Sequence, residues 1–401
     1  MARRVLLVNK FYYPRGGDCV VVLNTEALLR EHGVEAEVFA MQYPENLSAR
    51  YQDRFASEVS FGGGVGNQLR ALRRAMGWGD VRQCFEAMLD DFKPDVVHLH
   101  NIHSYLSPVV GELAHRRGVR VVWTLHDYKL LCPRYDCRLN GKPCEQCIAG
   151  AKRNVLAHRC MKGSLPASVV AWIEAMKWNR STLERNTDLF VCPSGFMAEK
   201  MKQGGFSPGK IKVLNNFIDP VKLKRYQDMD STAPRGDYYC YVGRLAPEKG
   251  VADLLAVASR MPYRLKVAGS GPLEQELLDC YDSCPNIEFL GKLDADAVAR
   301  LLMGARLNVV PSQSYENNPL SVIEALCAGT PVAGASIGGI PELIDEQSGV
   351  VFQPFDQDAL SAAITSAMAC RWNHADIARK AQTRFSPETH MSALQGDIYG
   401  F

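Results

Sequence analysis

No stretch of this 401-residue chain approaches the roughly 20 consecutive apolar residues that a membrane-spanning helix needs. After Met-Ala-Arg-Arg only the short VLLV precedes Asn9, far too little for the apolar core of a secretory leader, so a cytoplasmic location is expected. Net charge is scarce as well: 46 Lys plus Arg stand against 44 Asp plus Glu, which gives no general attraction to nucleic acid. Nor is there a compositional sign of long disorder, because 47% hydrophobic and 22% charged residues describe an ordinary globular protein. Thirteen cysteines, an odd number without a secretory signal, argue against a disulfide framework and for free thiols or metal.

What is present is unevenly placed. Residues 1–190 carry 26 basic and 20 acidic side chains, whereas residues 191–401 carry 20 and 24. The length fits two domains of about 200 residues, and the asymmetry implies that they face different partners.

The most informative stretch is LNVVPSQSYENNPLSVIEALCAGTP, Leu307 to Pro331. Leu307 to Val310 reads as a buried strand. Asn318 is expected to cap a helix with Pro319 at its first position, apolar Leu320, Ile323, Leu326 and Cys327 at helical spacing, and Gly329 and Pro331 ending it. The first free N–H groups, at about Leu320 and Ser321, would favour an anion such as a diphosphate. Glu316 before the helix and Glu324 within it place a hydroxyl-binding carboxylate on either side. A nucleotide sugar suits that arrangement; so does the plainer reading of a capped surface helix with ordinary glutamates.

Strands separated by helices recur along the chain. Arg4 to Val8 leads through a loop with Gly16 and Gly17 into a helix, a layout in which backbone can approach a phosphate, although a simple turn is the better explanation of a Gly-Gly pair by itself. Val96 to His100 and Val119 to His126 both end in histidine. His98, His100 and His103 invite a metal reading, but no carboxylate cluster accompanies them. His126 stands at the carboxyl end of a strand, where open α/β sheets bind ligands. The second half repeats the pattern from Tyr238 to Val242, through GRLAPEKG, and from Arg264 to Ala268, through Gly269 to Pro272. The expectation is an α/β protein of two Rossmann-like domains facing each other across a cleft. The polar segment Pro220 to Asp237 reads as a linker.

Two stretches combine basic and apolar residues. In Asn67 to Met76, helical spacing sets Leu69, Leu72 and Met76 against Arg70, Arg73 and Arg74, with Trp78 close behind; Pro166 to Arg185 reads as one helix bearing Trp172, Met176 and Trp178. The first suits an anionic membrane surface, although a core helix with a solvated face is the commoner explanation of such a pattern; the second is a candidate membrane-facing or partner-facing surface. Five cysteines crowd between Cys132 and Cys160. Cys144 and Cys147, with Cys160 and either Cys137 or Cys132, have the ligand types of a structural zinc site; buried or redox-labile thiols are the alternative. Three Asp-x-Asp pairs, at Asp228, Asp294 and Asp356, read as helix caps or linker rather than metal ligands.

In combination, GRLAPEKG (Gly243 to Gly250), GSGP (Gly269 to Pro272), PSQSYENNPLSVIEALCAGTPV (Pro311 to Val332), GGIPEL (Gly338 to Leu343), the loop at Gly16 and Gly17, and NNFID (Asn215 to Asp219) resemble glycosyltransferase family 4, with its two-domain GT-B fold. That resemblance implies an acceptor-binding domain over residues 1–220, completed by 385–401, and a donor-binding domain over 221–384. It implies that Arg244 and Lys249 grip the donor diphosphate, that Gly16, Gly17, Leu320 and Ser321 approach it with backbone, that Glu316 holds the donor sugar and Glu324 the ribose, and that His126 lies near the reacting sugar. It further implies retention of anomeric configuration without a metal cofactor. Asn317 and Asn318 stand where the family commonly has Gly and an aromatic, so they bear on which sugar is carried. The reading is a transferase moving a sugar, expected to be UDP-linked, to a saccharide acceptor, with lipid linkage at the inner face of the cytoplasmic membrane as a hypothesis. A nucleotide-sugar epimerase and a non-catalytic scaffold are the alternatives.

Overall fold

A computed structural model describes residues 3–60, 62, 65–229 and 233–401. The chain divides into two compact units. One comprises Met1–Leu139, Cys144–Leu214 and Met391–Phe401; the other comprises Asn140–Pro143 and Asn215–His390.

In the first unit six strands form a single parallel sheet: β1 (Arg4–Val8), β2 (Glu35–Phe39), β3 (Val96–Leu99), β4 (Arg120–Thr124), β5 (Leu189–Cys192) and β6 (Ile211–Val213). Their order is β2-β1-β3-β4-β5-β6. Val5 to Val8, Val96, Val97 and Leu99 are all buried, as expected of strands covered by helices on both faces. The order makes β1 and β3 neighbours from which the chain departs in opposite directions. The loops after these two strands therefore diverge and leave a crevice at their carboxyl ends.

The second unit repeats the plan with β7 (Tyr238–Val242), β8 (Arg264–Ala268), β9 (Ile287–Gly291), β10 (Leu307–Val310), β11 (Val332–Ala335) and β12 (Gly349–Phe352), ordered β9-β8-β7-β10-β11-β12. Every pairing is parallel. Its switch point lies between β7 and β10, the strands that feed the GRLAPEKG loop and the SQSYENN loop. The α/β class and its parallel sheets agree with the sequence expectation.

The chain end returns to the first unit. Tyr399 Oη lies 2.7 Å from His98 Nδ1, and the Arg120 guanidinium donates twice to the Ile398 carbonyl, at 3.1 and 2.9 Å. With Thr124 Oγ1 2.8 Å from its Nε2, His98 has both nitrogens engaged and fastens this terminal segment.

Three local expectations change, and the helix-cap reading of the Asp-x-Asp pairs holds at Asp294 and Asp356. The supposed linker contains a helix, Pro220–Asp228, because the Asp219 carboxylate accepts from the N–H groups of Val221 and Lys222. Asp230 of the first Asp-x-Asp pair lies outside the described residues; Asp294 and Asp356 cap helices through Ala297 and Ala359. The helix expected from Pro166 to Arg185 is two, Leu165–Lys177 and Arg180–Arg185, because Asn179 breaks the first and caps the second. On helix Val65–Ala75 the faces are not as the spacing proposed. Arg74 is buried and bonded to Asp80, Tyr105 and Ser57, while Leu69 is exposed.

Candidate active site

In the second unit the residues singled out from sequence gather at the β7/β10 switch point. Gly250 ends the GRLAPEKG loop at φ +68, where a Cβ would stand 1.9 Å from the Pro311 carbonyl oxygen, so only glycine lets the two loops close on each other. Gln313 N–H donates to Glu248 O at 2.9 Å across the same contact. Lys249 Nζ then lies 2.6 Å from Glu316 Oε1, which also accepts from Ser312 Oγ at 2.9 Å. The Glu316 backbone is held from a third side, its carbonyl accepting from Gly339 N–H at 2.6 Å.

Arg244 is exposed, and its guanidinium makes no hydrogen bond or ion pair among the described residues. It is a cation held on a fixed loop: Leu245 N–H donates to Ser270 O, and Leu273 N–H to Leu245 O, both at 3.0 Å.

The helix after β10 runs Leu320–Cys327 with Pro319 as its cap residue, and no side chain caps it. Asn318 was expected in that role. It is instead buried and doubly bonded to Asn216, accepting from Asn216 N on Oδ1 and from Asn216 Nδ2 on its carbonyl, both at 2.8 Å. A side chain committed to Asn216 cannot also turn back to the helix end, and the N–H groups of Leu320 and Ser321 accordingly have no capping side chain. Glu324 lies within this helix and pairs with Lys222, Nζ to Oε1 2.6 Å. Sequence reading missed Lys222. The signal was available in Asp219-Pro220, which starts the helix that carries it.

In the first unit, Gly16 precedes helix Gly17–Glu31, and a Cβ on Gly17 would meet nothing within 4 Å. The next residue, Asp18, accepts from Asn101 Nδ2 at 2.7 Å. Burial alone would raise the Asp18 pKa, but His126, Lys10 and the Asn101 bond outweigh it and hold the carboxyl below its ordinary range. His126 Nε2 lies 3.0 Å from His100 Nδ1 with the two rings stacked. Burial pushes the His126 pKa down, against the pull of Asp18 and Asp127. The loop after β1, the loop after β3 and the end of β4 thus converge on the His126 imidazole and the Asp18 carboxylate. Asp18 and Asn101 were not picked out from sequence, although each directly follows a residue or motif that was.

Among the described residues no group of three or more His, Cys, Asp or Glu is gathered to hold a metal ion, the histidine trio and the cysteine segment included. In the cysteine segment, a thiol–thiol hydrogen bond from Cys137 holds Cys132 well below the usual thiol range, while Cys147 is pushed up by burial to about 12. All thirteen cysteines are free thiols.

Paired switch-point sheets, with fixed cations and carboxylates on the loops of the second, define the GT-B class of glycosyltransferases. Residues 15–222 match the model described as Glycosyltransferase Family 4, and residues 229–384 match that described as Glycosyl transferases group 1. The chain belongs to this family of group 1 and family 4 glycosyltransferases. It is 28% identical over 206 residues to the sulfoquinovosyl transferase SQD2 of Arabidopsis thaliana, covering 48% of this chain and 40% of that protein. It is 34% identical over 199 residues to a Mycobacterium tuberculosis glycogen synthase, covering 47% of each. The chain thus spans about half the length of these curated relatives, or less. Its fold matches sucrose-phosphate synthase of Thermosynechococcus elongatus (TM-score 0.69, 19% identity, 99% and 98% of the two chains). It also matches HepE of Anabaena in complex with UDP (TM-score 0.63, 17% identity, all of both chains).

Proposed function

We propose that this protein is a retaining glycosyltransferase that moves a sugar from a nucleoside diphosphate sugar to a saccharide acceptor. The observation that carries the reading is the arrangement at the second switch point. A fixed Arg244 without an anionic partner, Lys249 bonded to Glu316, and the uncapped helix start at Leu320 and Ser321 all belong to the loops that follow β7 and β10. Cations and backbone N–H groups set in advance stabilise negative charge as it develops on a departing diphosphate. Glu316 takes the donor-sugar hydroxyls, with Asn317 and Asn318 beside it, and Glu324 the ribose. In the first unit we assign Gly16 and the open backbone at Gly17 to phosphate contact and His126 to the reacting sugar. Uridine is our choice of base because HepE holds UDP on the same fold.

The leaving phosphate takes the acceptor proton in a same-face attack, which keeps the anomeric configuration and requires no metal cofactor. No observation favours the epimerase alternative.

The reading extends to a lipid-linked acceptor at a cytoplasmic membrane surface. No helix among the described residues is long and apolar enough to cross a membrane, but the first unit exposes large apolar side chains beside cations. Leu69 and Trp78 are each 55% exposed, and Leu165, Ile173 and Met176 lie exposed on helix Leu165–Lys177. Lys177 Nζ stands 5.2 Å over the Trp78 ring and 4.9 Å over Trp178. Flotation with anionic liposomes tests this; protein left at the bottom of the gradient excludes it.

Calorimetric titration with UDP-, GDP- and ADP-sugars in EDTA tests the donor assignment. One series should bind between micromolar and millimolar and weaken in Glu324→Ala. Absence of binding by all three would overturn it.

A further inference from the structure

A cavity of about 400 Å³ is lined only by residues of the first unit, within the size range of small-ligand sites. Glu174, 5% exposed, reaches it from helix Leu165–Lys177. Its two carboxylate oxygens accept from Ser104 Oγ at 2.7 and 2.9 Å, and Lys129 Nζ lies 3.0 Å from Oε2. Ser104 does this from a left-handed backbone conformation, φ +59, which a non-glycine residue adopts only when its surroundings hold it there.

Every cation that lines this cavity is already engaged. Lys129 is neutralised by Glu174, Lys152 donates to the Leu130 and Leu131 carbonyls, and Arg180 donates to the Gly205 carbonyl. His103, on the same lining, is buried, and burial lowers its pKa to about 3, so it is neutral at physiological pH. Lys129 is the lining cation paired with a lining carboxylate, while Lys152 and Arg180 keep their charge and spend N–H groups on backbone carbonyls. The cavity offers a carboxylate and an ammonium in fixed positions beside apolar Leu130, Ile148, Met176 and Phe206. Hydroxyl groups both donate and accept, and so can exchange into such a set without leaving a buried group unpaired.

The cavity also borders the candidate reactive histidine. Lys129 N–H donates to Asp127 Oδ1 at 2.9 Å, and His103 Nε2 lies 3.5 Å from the same oxygen; Asp127 is the residue after His126. Part of its wall, Ile148 to Gly150 and Lys152, belongs to the cysteine-bearing excursion.

We infer that this cavity is the acceptor pocket and that it takes an amphipathic glycoside, with the sugar head at Glu174 and Lys129 and an apolar aglycone along Leu130, Ile148, Met176 and Phe206. The cysteine excursion forms its specificity wall. The acceptor role rests on the transferase reading; the binding does not.

The test titrates the full chain with n-octyl β-glucoside, β-galactoside and α-mannoside, each below micelle formation, and with the matching methyl glycosides. At least one octyl glycoside should bind one per chain, at least tenfold tighter than its methyl counterpart. Ala149→Trp, which fills the cavity from an exposed position, should weaken that binding tenfold or more, with the unfolding midpoint and UDP binding unchanged. Failure of all six glycosides to bind, or Ala149→Trp binding like the wild type, overturns the inference. Glycoside binding without any nucleotide-sugar binding would support the pocket and overturn its assignment as acceptor site.

Discussion

Lys249 Nζ stands 2.6 Å from Glu316 Oε1, so in the second unit one residue's charge is balanced by the other's. A donor diphosphate would draw on the ammonium while the sugar hydroxyls draw on the carboxylate. On the proposed donor assignment the pair would join the two halves of the donor. Glu316→Ala is expected to lower transfer at least about tenfold, or roughly 1.4 kcal/mol of transition-state binding, while UDP itself still binds. Unchanged turnover in a steady-state assay would contradict the role of Glu316.

Glu324 and Lys222 form the second such pair, 2.6 Å apart. Glu324→Ala should raise the dissociation constant for the whole nucleotide sugar, and Lys222→Ala should change it in the same direction by less, since the carboxylate survives without its orienting partner. Calorimetry of both variants with the same donor decides the order; a larger effect in Lys222→Ala would mean that lysine, not glutamate, meets the ligand.

Gly269 has φ +139, and a Cβ there would come within 1.8 Å of the Gly243 carbonyl oxygen. Gly269→Ala should destabilise the second unit by about 1–3 kcal/mol, the range for a residue forced into such backbone, and disturb the Arg244 loop with it. Thermal unfolding measures the effect; an unshifted midpoint would show that the loop relaxes freely.

Acid should weaken both units through buried histidines. His103 in the first has its pKa lowered by burial to about 3, and His390 in the second to about 4, both from an ordinary 6.5. Between the lowered and the ordinary values the unfolded chain binds the proton and the folded chain does not. Stability is thus complete above about pH 6.5 and is lost as pH falls toward 4. Buried Glu26 and Glu37, whose pKa values burial raises, act in the opposite direction over the lower part of that range. Melts at pH 7 and 5 should show the decline, and His103→Asn should lessen it.

Structural zinc on Cys137, Cys144, Cys147 and Cys160 is open to direct measurement. The alternative to zinc is a set of free thiols, for which metal analysis should find no zinc and iodoacetamide should modify the more exposed Cys144 and Cys160 without prior chelation. About one zinc per chain, with the thiols protected until a chelator is added, would establish the zinc site instead.

What the sequence by itself determined is periodic or local. Apolar runs three to five residues long, separated by helical spacing, specified the parallel-strand plan of both units, although Val332–Ala335 and Gly349–Phe352 escaped that reading. Gly250, Gly269, Glu316 and Glu324 were legible because loop chemistry at strand ends is written in consecutive residues. Tertiary structure decided the partners. Lys222 finds Glu324 across 102 positions, Asn318 turns from helix cap to clamp on Asn216, Arg74 goes inward to Asp80, and Ser104 meets Glu174 from 70 positions away. Helical spacing says which residues share a face, not which face the core will cover. A polar side chain's final partner is set by whichever group the packing leaves unsatisfied beside it, and that competition is settled only when the sheets have formed.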